Sequence, residues 1–285
     1  MSSGLVLLDK PAGITSHDLV AKLRKSMGTK KVGHAGTLDP MATGLMILGV
    51  NQGTKLMQFL SGLDKTYQAT IKLGESTSTD DAEGEVISRA DASGITETQL
   101  EPELEKLRGE ITQVPSSVSA ISIGGKRAYQ LVREGQEVVL PARKVFIERL
   151  ELTGKVQVDG KTISFPVEVD CSSGTYIRAI ARDLGAALEV GGHLTSLRRT
   201  RIGPFGVSDA SSDVANAKLI PMAEVVKGLM STIEVTQDQA RDLGHGKRLA
   251  GTFPQPTAAL FEGSLVAILE SSGKILVGFP QEQNA

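Results

Sequence analysis

Apolar and polar positions fall into distinct blocks along the chain. Leu5-Val6-Leu7-Leu8 is a short apolar run ending in Asp9-Lys10-Pro11-Ala12-Gly13, which reads as a strand leading into a turn. Thr15 or Ser16 can cap a helix over residues 17–27, in which Leu19, Val20, Leu23 and Met27 share one face and Lys22, Arg24 and Lys25 lie elsewhere. The run 45–50 predicts a buried strand, and 54–60 a short helix. Tyr67, Ala69, Ile71 and Leu73 alternate with Thr66, Gln68, Thr70 and Lys72, the period of a half-buried strand with Tyr67 at its start. Residues 96–107 predict an acidic helix, and 145–152 and 163–171 two strands. In the second, Ile163, Phe165, Val167, Val169 and Cys171 alternate. Residues 174–188 predict a helix with Ile177, Ile180, Leu184 and Leu188 on one face; Arg178 and Arg182, four apart, share another. After a connector at 213–230 with one helix, the pattern restarts: a short strand near 232, a helix over 237–243, a Gly-rich basic turn at 244–248, and strands at 265–269 and 274–279.

The densest chemistry lies in Gly33-His34-Ala35-Gly36-Thr37-Leu38-Asp39-Pro40. Gly33, Ala35 and Gly36 leave little bulk, so a flat ligand can approach the backbone. Pro40 biases Asp39 towards an extended conformation. The stretch thus presents an aspartate on a tight loop at the mouth of a core strand; an ordinary turn with a solvated aspartate fits the same residues. Tyr67 reads equally as a core aromatic with a tethered hydroxyl. Arg178 falls in the first turn of its helix, where a cation is disfavoured unless an anion meets it. Asp39 is the expected partner, held through two parallel hydrogen bonds, with Asp183 on the same helix as the alternative. Residues 74–84 carry four acids without the calcium-loop spacing and read as a polar loop. His17 and His193 read as first-turn and loop residues.

A length of 285 residues admits one large or two smaller domains. No apolar run is long enough to span a membrane, and the N-terminus shows no signal peptide, so no membrane association is expected. Cys171 is the single cysteine, and a cytoplasmic location is expected. A net charge of −2 argues against a generally basic nucleic-acid binder. The charge is uneven, however. Lys22, Arg24, Lys25, Lys30 and Lys31 cluster without an acid; Arg198, Arg199 and Arg201 form a second group, and Lys126, Arg127, Arg133, Arg143 and Lys144 a looser third. The acids gather at 80–85 and 97–105. A basic face with an acidic periphery accounts for this, as do solvated helix faces. There is no P-loop, dinucleotide fingerprint or Cys/His metal set.

The glycine-rich stretch closely resembles the catalytic motif of the TruB family of tRNA pseudouridine synthases. Leu7-Leu8-Asp9-Lys10-Pro11-Ala12-Gly13 resembles that family's Lys-Pro motif and Asp64-Lys65-Thr66-Tyr67 its tyrosine motif. Residues 171–178, Cys-Ser-Ser-Gly-Thr-Tyr-Ile-Arg, resemble its arginine motif, and Leu197-Arg198-Arg199 its late leucine motif. The five occur in family order.

The resemblance implies an α+β fold. A mixed-sheet pseudouridine synthase catalytic domain would span residues 1–230, with an RNA-gripping insertion at about 113–144, and a small PUA-like β-rich module would span 231–285. It implies conversion of uridine 55 in the T-loop of tRNA to pseudouridine, with Asp39 as the catalytic carboxylate and Arg178 as its partner. Tyr67 would lie against the target base and assist proton removal from C5, and Leu197 would form an apolar wall. His34 would fill the space a flipped base leaves, Lys10 would make a polar contact at the pocket floor, and Tyr176, Lys126, Arg127 and Arg143 would contact RNA. No metal or cofactor is implied. The expected partner is the tRNA T-arm stem-loop, the expected state a stand-alone monomer without an obligate protein partner. The competing reading is a non-catalytic protein that binds structured RNA through the same basic clusters. Two others compete less well: a phosphate-holding small-molecule enzyme, which Asp39 beside the loop opposes, and a pseudouridine synthase guided by a separate RNA.

Overall fold

The computed structural model describes residues 2–119, 122–128, 131, 134, 136, 138 and 140–280. The chain opens with β1 (Gly4–Lys10), α1 (Ser16–Met27), β2 (Val32–His34), β3 (Thr43–Val50) and α2 (Met57–Ser61). β4 (Lys65–Leu73) is followed by the hairpin of β5 (Glu75–Thr77) and β6 (Val86–Arg89), then α3 (Glu97–Lys106) and β7 (Gly109–Gln113). A small hairpin, β8 (Ser122–Ile123) and β9 (Lys126–Arg127), precedes β10 (Arg143–Leu152), β11 (Gln157–Asp159) and β12 (Thr162–Cys171). Next come α4 (Ile177–Ala187), β13 (Gly192–Ile202), β14 (Phe205–Gly206), β15 (Ile220–Pro221) and α5 (Met222–Lys227). The chain closes with β16 (Ser231–Glu234), α6 (Gln237–Gly244), β17 (Thr257–Phe261), β18 (Ser264–Leu269) and β19 (Ile275–Gly278). The sequence also predicts a helix over 127–133, which falls largely on residues outside those described.

The caps explain where the helices start. Thr15, not Ser16, caps α1: its hydroxyl accepts from the Asp18 N–H while the Asp18 carboxylate accepts from the Thr15 N–H, and Gly28 in the left-handed region ends the helix. Ser16 turns inward instead, where its hydroxyl donates to the Leu38 carbonyl and accepts the Leu38 N–H.

The main sheet runs β15-β1-β3-β13-β4-β12-β10-β7, with β2, β11 and β14 paired at its margins. Neighbours in this order run antiparallel except where β13 meets β3 in parallel, Arg198 opposite Thr43 and Arg199 opposite Gly44. That approach requires glycine at position 44. Its φ is +103°, and a Cβ there would collide with the Arg199 backbone. The alternation in β4 and β12 holds: Tyr67, Ala69, Ile71 and Leu73 lie in one core with Phe165, Val167 and Val169, beneath Leu19 and Leu23 of α1 and Ile180 and Leu184 of α4.

A four-stranded sheet, β16-β17-β18-β19, forms the C-terminal β-rich part. β17 and the hairpin of β5 and β6 are elements that hydropathy reading passes over. α6 packs on this sheet through Ala240 and Leu243 against Ala259, Ala267 and Leu269. Ala258, Leu260, Leu265, Ile268 and Phe279 instead join Leu5, Leu7, Leu45, Ile47 and Val226 in one shared cluster. Lys55 adds a hydrogen bond of 2.7 Å to the Gly278 carbonyl and lies over the Phe279 ring.

Removing everything after residue 230 therefore returns a layer of apolar side chains to water, at roughly 1.5–3 kcal/mol for each large one. A truncated protein is expected to unfold at a clearly lower temperature than the full chain by calorimetry. An unchanged midpoint would mean that the shared cluster contributes nothing to the main sheet. No helix among the described residues is long and apolar enough to cross a membrane.

Candidate active site

The loop between β2 and β3 is held by its main-chain carbonyls. Lys10, at the end of β1, is fully buried and donates to the carbonyls of Pro40 at 3.1 Å and Ala42 at 2.6 Å, and to that of Pro11 at 3.0 Å. Ser16 holds the Leu38 carbonyl. Arg199, on β13, donates to the carbonyls of Gly36 at 3.2 Å, Thr37 at 3.4 Å and Leu45 at 2.8 Å. Lys10 was expected to meet substrate at the pocket floor. Its ammonium is instead consumed by the loop it supports, because a buried ammonium must find acceptors.

This scaffold presents Asp39 to the start of α4. Arg178 Nε lies 3.0 Å from Asp39 Oδ2. The expected pair is therefore present, but not as a two-bond fork. Nη1 donates to the Thr79 carbonyl at 2.7 Å and lies 3.4 Å from Asp81 Oδ2, and Nη2 donates to the Val118 carbonyl at 2.8 Å. The guanidinium spreads its donors over two carboxylates and two carbonyls because three separate segments converge on it. Its side chain is 5% exposed, while that of Asp39 is 36% exposed towards the cavity. Asp183, the alternative partner, pairs with Arg182, which also reaches Asp80.

Asp39, Tyr67, Tyr176, Arg178 and Leu197 line one cavity of about 310 Å³. Five of the expected site residues thus meet, drawn from a loop, two strands and the N-terminal end of a helix. Tyr67 and Leu197 are neighbours on the core face of β4 and β13. Arg143 lies with its guanidinium 5.4 Å from the centre of the Tyr176 ring, a cation–π contact. His34 stands at the head of the loop, where its Nδ1 accepts the Gly36 N–H at 3.3 Å; it does not line the cavity. Lys126 and Arg127 lie on the β8–β9 hairpin, their side chains outside the described residues.

Electrostatics set the protonation states. Burial pushes the Asp39 carboxyl above the usual aspartate range; Arg178 pulls it down and Asp81 pushes it up. Burial lowers the His34 imidazole, with the positive charges of Arg199 and His17 adding to the effect, so it is neutral at neutral pH. Burial raises the Tyr67 phenol, with Arg199 opposing. Tyr67 is therefore a neutral ring surface rather than a phenolate.

Asp81→Asn removes a like charge beside Asp39 and so lowers the Asp39 pKa. With Asp39 acting as the ionised carboxylate that the sequence reading expects, the acid limb of the single-turnover rate is expected to move to lower pH. An unmoved or raised limb would show that Asp81 does not act on Asp39 through its charge.

Asp81, Lys65 and Arg199 belong to the site, though their sequence context marks them otherwise. Asp81 comes from the stretch that reads as a polar loop, yet it is buried against Arg178. Arg199 carries a usable signal: it lies two residues beyond Leu197 on a strand and therefore on the same inward face. The 198–201 cluster is not a free basic patch. Arg198 pairs with Asp9 through two hydrogen bonds, Arg201 reaches Asp170, and Arg199 is buried. Arg24 likewise turns to the Val32 carbonyl.

Family models and known proteins resemble this chain along its length. The model of the TruB family pseudouridylate synthase N-terminal domain matches residues 24–177, and that of the tRNA pseudouridylate synthase B C-terminal domain matches residues 178–232. A tRNA pseudouridine synthase B from Leifsonia xyli subsp. xyli is 48% identical over 301 residues, covering 100% of this chain and 99% of the relative. One from Mycolicibacterium paratuberculosis is 50% identical over 276 residues, covering 95% of this chain and 94% of the relative. Among solved structures, an H/ACA RNP bound to a substrate RNA containing 2′-deoxyuridine shares the fold. The TM-score is 0.69 at 22% identity, over 98% of this chain and 86% of that one. With both family models matched in sequence order and relatives near half-identical along the whole length, the chain belongs to the TruB family of pseudouridylate synthases.

Proposed function

We propose that this chain isomerises uridine to pseudouridine at position 55 in the T-loop of tRNA, with Asp39 as its catalytic carboxylate. The observation that carries the assignment of Asp39 is its pairing with Arg178 at 3.0 Å on the wall of a cavity shared with Tyr67 and Leu197. The target base sits in a folded loop and must be flipped out to reach that carboxylate. Tyr67 offers a neutral ring against the base, and Leu197 closes the apolar side. His34, also neutral, is a planar group free of charge repulsion or attraction and suits the place the base vacates.

In the reaction, the N1–C1′ bond breaks with its electron pair on the base. The base turns, C5 bonds to C1′, and the proton at C5 is exchanged for one at N1. Asp39 supplies an electron pair to the nucleoside, as nucleophile or as base, and recovers it at the end. Arg178 opposes the burial that otherwise protonates Asp39. Nothing is oxidised, reduced or hydrolysed.

Residues 1–230 form the catalytic part, and the segment at about 113–144 grips RNA together with Arg143. The small sheet from 231 onward serves as a PUA-like RNA-binding module. The enzyme works as a stand-alone monomer in the cytoplasm, with the tRNA T-arm as its partner.

The test is incubation of the purified protein with an unmodified T-arm stem-loop, followed by nuclease digestion and nucleoside mass spectrometry. Pseudouridine at a single position is expected, and its yield is expected to survive excess EDTA, because the isomerisation requires no Lewis acid. Absence of pseudouridine with a folded stem-loop would overturn the assignment.

A further inference from the structure

We propose that Lys65 and Arg199 form a cationic floor of the cavity. This floor receives the carbonyl oxygens of uracil and stabilises the negative charge the base gains as the N1–C1′ bond breaks. The proposal rests on the pseudouridine synthase reading above.

Both residues line the same cavity as Asp39 and Tyr67. Lys65 is 6% exposed and Arg199 is 1% exposed. A buried charge is costly unless an opposite charge or a function accompanies it. Arg178, across the cavity, meets two carboxylates. Lys65 and Arg199 meet none within ion-pair distance among the described residues.

Each is anchored only to neutral groups. Lys65 donates to the carbonyls of Ser61 at 3.1 Å and Leu63 at 2.6 Å, which leaves its third proton unspent. Arg199 donates to three carbonyls, lies 3.2 Å from the Met46 sulfur and hydrogen-bonds the Tyr67 hydroxyl, so it acts on the base through its charge while Lys65 supplies the donor. The two side chains converge on Gly36: a Cβ placed there would lie 3.6 Å from Arg199 Nη1 and 3.9 Å from Lys65 Cε. Their mutual repulsion adds to burial in bringing the Lys65 ammonium down to about 8. Two like charges held together without a counter-ion leave the floor of the site positive.

The chemistry of the missing partner follows from the rest of the cavity. A phosphate is a poor occupant, because Asp39 opens into the same space and would repel it. A uracil ring is neutral on entry, and Tyr67, opposite Arg199 in the strand register, gives it a flat surface. When N1–C1′ breaks, the pair left on N1 is shared with O2 and O4, so the charge reaches the exocyclic oxygens. Electron demand at C1′ is met by Asp39 or by the C2′–H bond it deprotonates. The pair on the base is spent when C5 bonds to C1′. Fixed donors aimed at developing charge in a water-poor site are commonly the largest single contribution to catalysis.

The test compares two stem-loops, one with uridine and one with 5-fluorouridine at the target position. The fluorine stabilises the uracil anion by itself, so cleavage of that nucleoside depends less on the floor. Lys65→Gln retains donors for the carbonyls of Ser61 and Leu63 and loses the charge. It is expected to slow single-turnover loss of uridine by about 10²-fold, to slow loss of 5-fluorouridine several-fold less, and to leave stem-loop affinity unchanged.

Equal slowing of both substrates would overturn the proposal in favour of a purely structural role, as would an unchanged uridine rate. Should Lys65→Gln fail to fold, Lys65→Met and Lys65→Arg decide it. The arginine variant, which keeps the charge, is expected to slow uridine less than the methionine variant does and to bring the uridine to 5-fluorouridine ratio back towards wild type, and no such return overturns the floor. A wild-type protein that does not isomerise uridine overturns the enzyme reading and the floor together. Active wild type with equally slowed variants overturns the floor alone.

Discussion

Asp39→Asn is expected to bind a T-arm stem-loop within about tenfold of wild type, a window of about 1.4 kcal/mol, and to form no detectable pseudouridine. Asparagine is nearly isosteric, and its amide oxygen still accepts the Arg178 Nε–H. The loop keeps its shape because Lys10, Ser16 and Arg199 hold it by main-chain carbonyls, none of which involves the Asp39 side chain. Burial already disfavours the charged form of Asp39, so the neutral amide is expected to leave thermal stability at or slightly above the wild-type value. RNA affinity comes from phosphate contacts and base stacking elsewhere. What asparagine cannot supply is the electron pair for the nucleoside. Measurable turnover would move the chemistry to another residue, and loss of folding would make Asp39 structural.

Arg178→Lys comes next in size, although the charge is kept. The guanidinium satisfies Asp39, Asp81 and the carbonyls of Thr79 and Val118 from one planar centre. An ammonium has three protons on a single atom and cannot serve four acceptors arranged around a plane. Disturbing this network costs stability, up to roughly 3 kcal/mol, and a misplaced carboxylate is expected to slow single turnover by about 10²-fold. Affinity for the stem-loop is expected to persist. Without its full pull on Asp39, the carboxyl rises further, so the acid limb of the rate should shift to higher pH. Near-normal single-turnover rates in this variant would remove Arg178 from the chemistry.

The sequence made the alternating strands legible because hydrophobic period and burial coincide there. β4 and β12 follow their pattern from the pair of Ile163 and Leu73 to that of Val169 and Tyr67. The aspartate loop was legible from Pro40 and the small residues, and the pairing with Arg178 from the poor fit of a cation at a helix start. Asp81 was not legible, since an acid beside another acid looks like a solvated loop until the fold brings an arginine to it. The 198–201 cluster reads as a basic face for the converse reason: charge in a linear window says nothing of Asp9 and Asp170, which lie far away in sequence and pair with Arg198 and Arg201. The shared core beneath the C-terminal sheet also escapes a linear reading, because β17 and β18 each present one face to α6 and the other to β1 and β3.

The parallel pairing of β13 with β3 also orders events on the ribosome. A nascent chain that has emerged through α4 already carries Asp39, Tyr67, Asp81 and Arg178. It still lacks the strand that joins Thr43 and Gly44 to the rest of the sheet. Closing so long a loop is entropically expensive and comes late. Until Arg199 arrives, the carbonyls of Gly36 and Thr37 lack the guanidinium that completes the hold begun by Lys10 and Ser16. A chain that ends before β13 is therefore expected to form no pseudouridine, since its cavity also lacks Leu197 and Arg199.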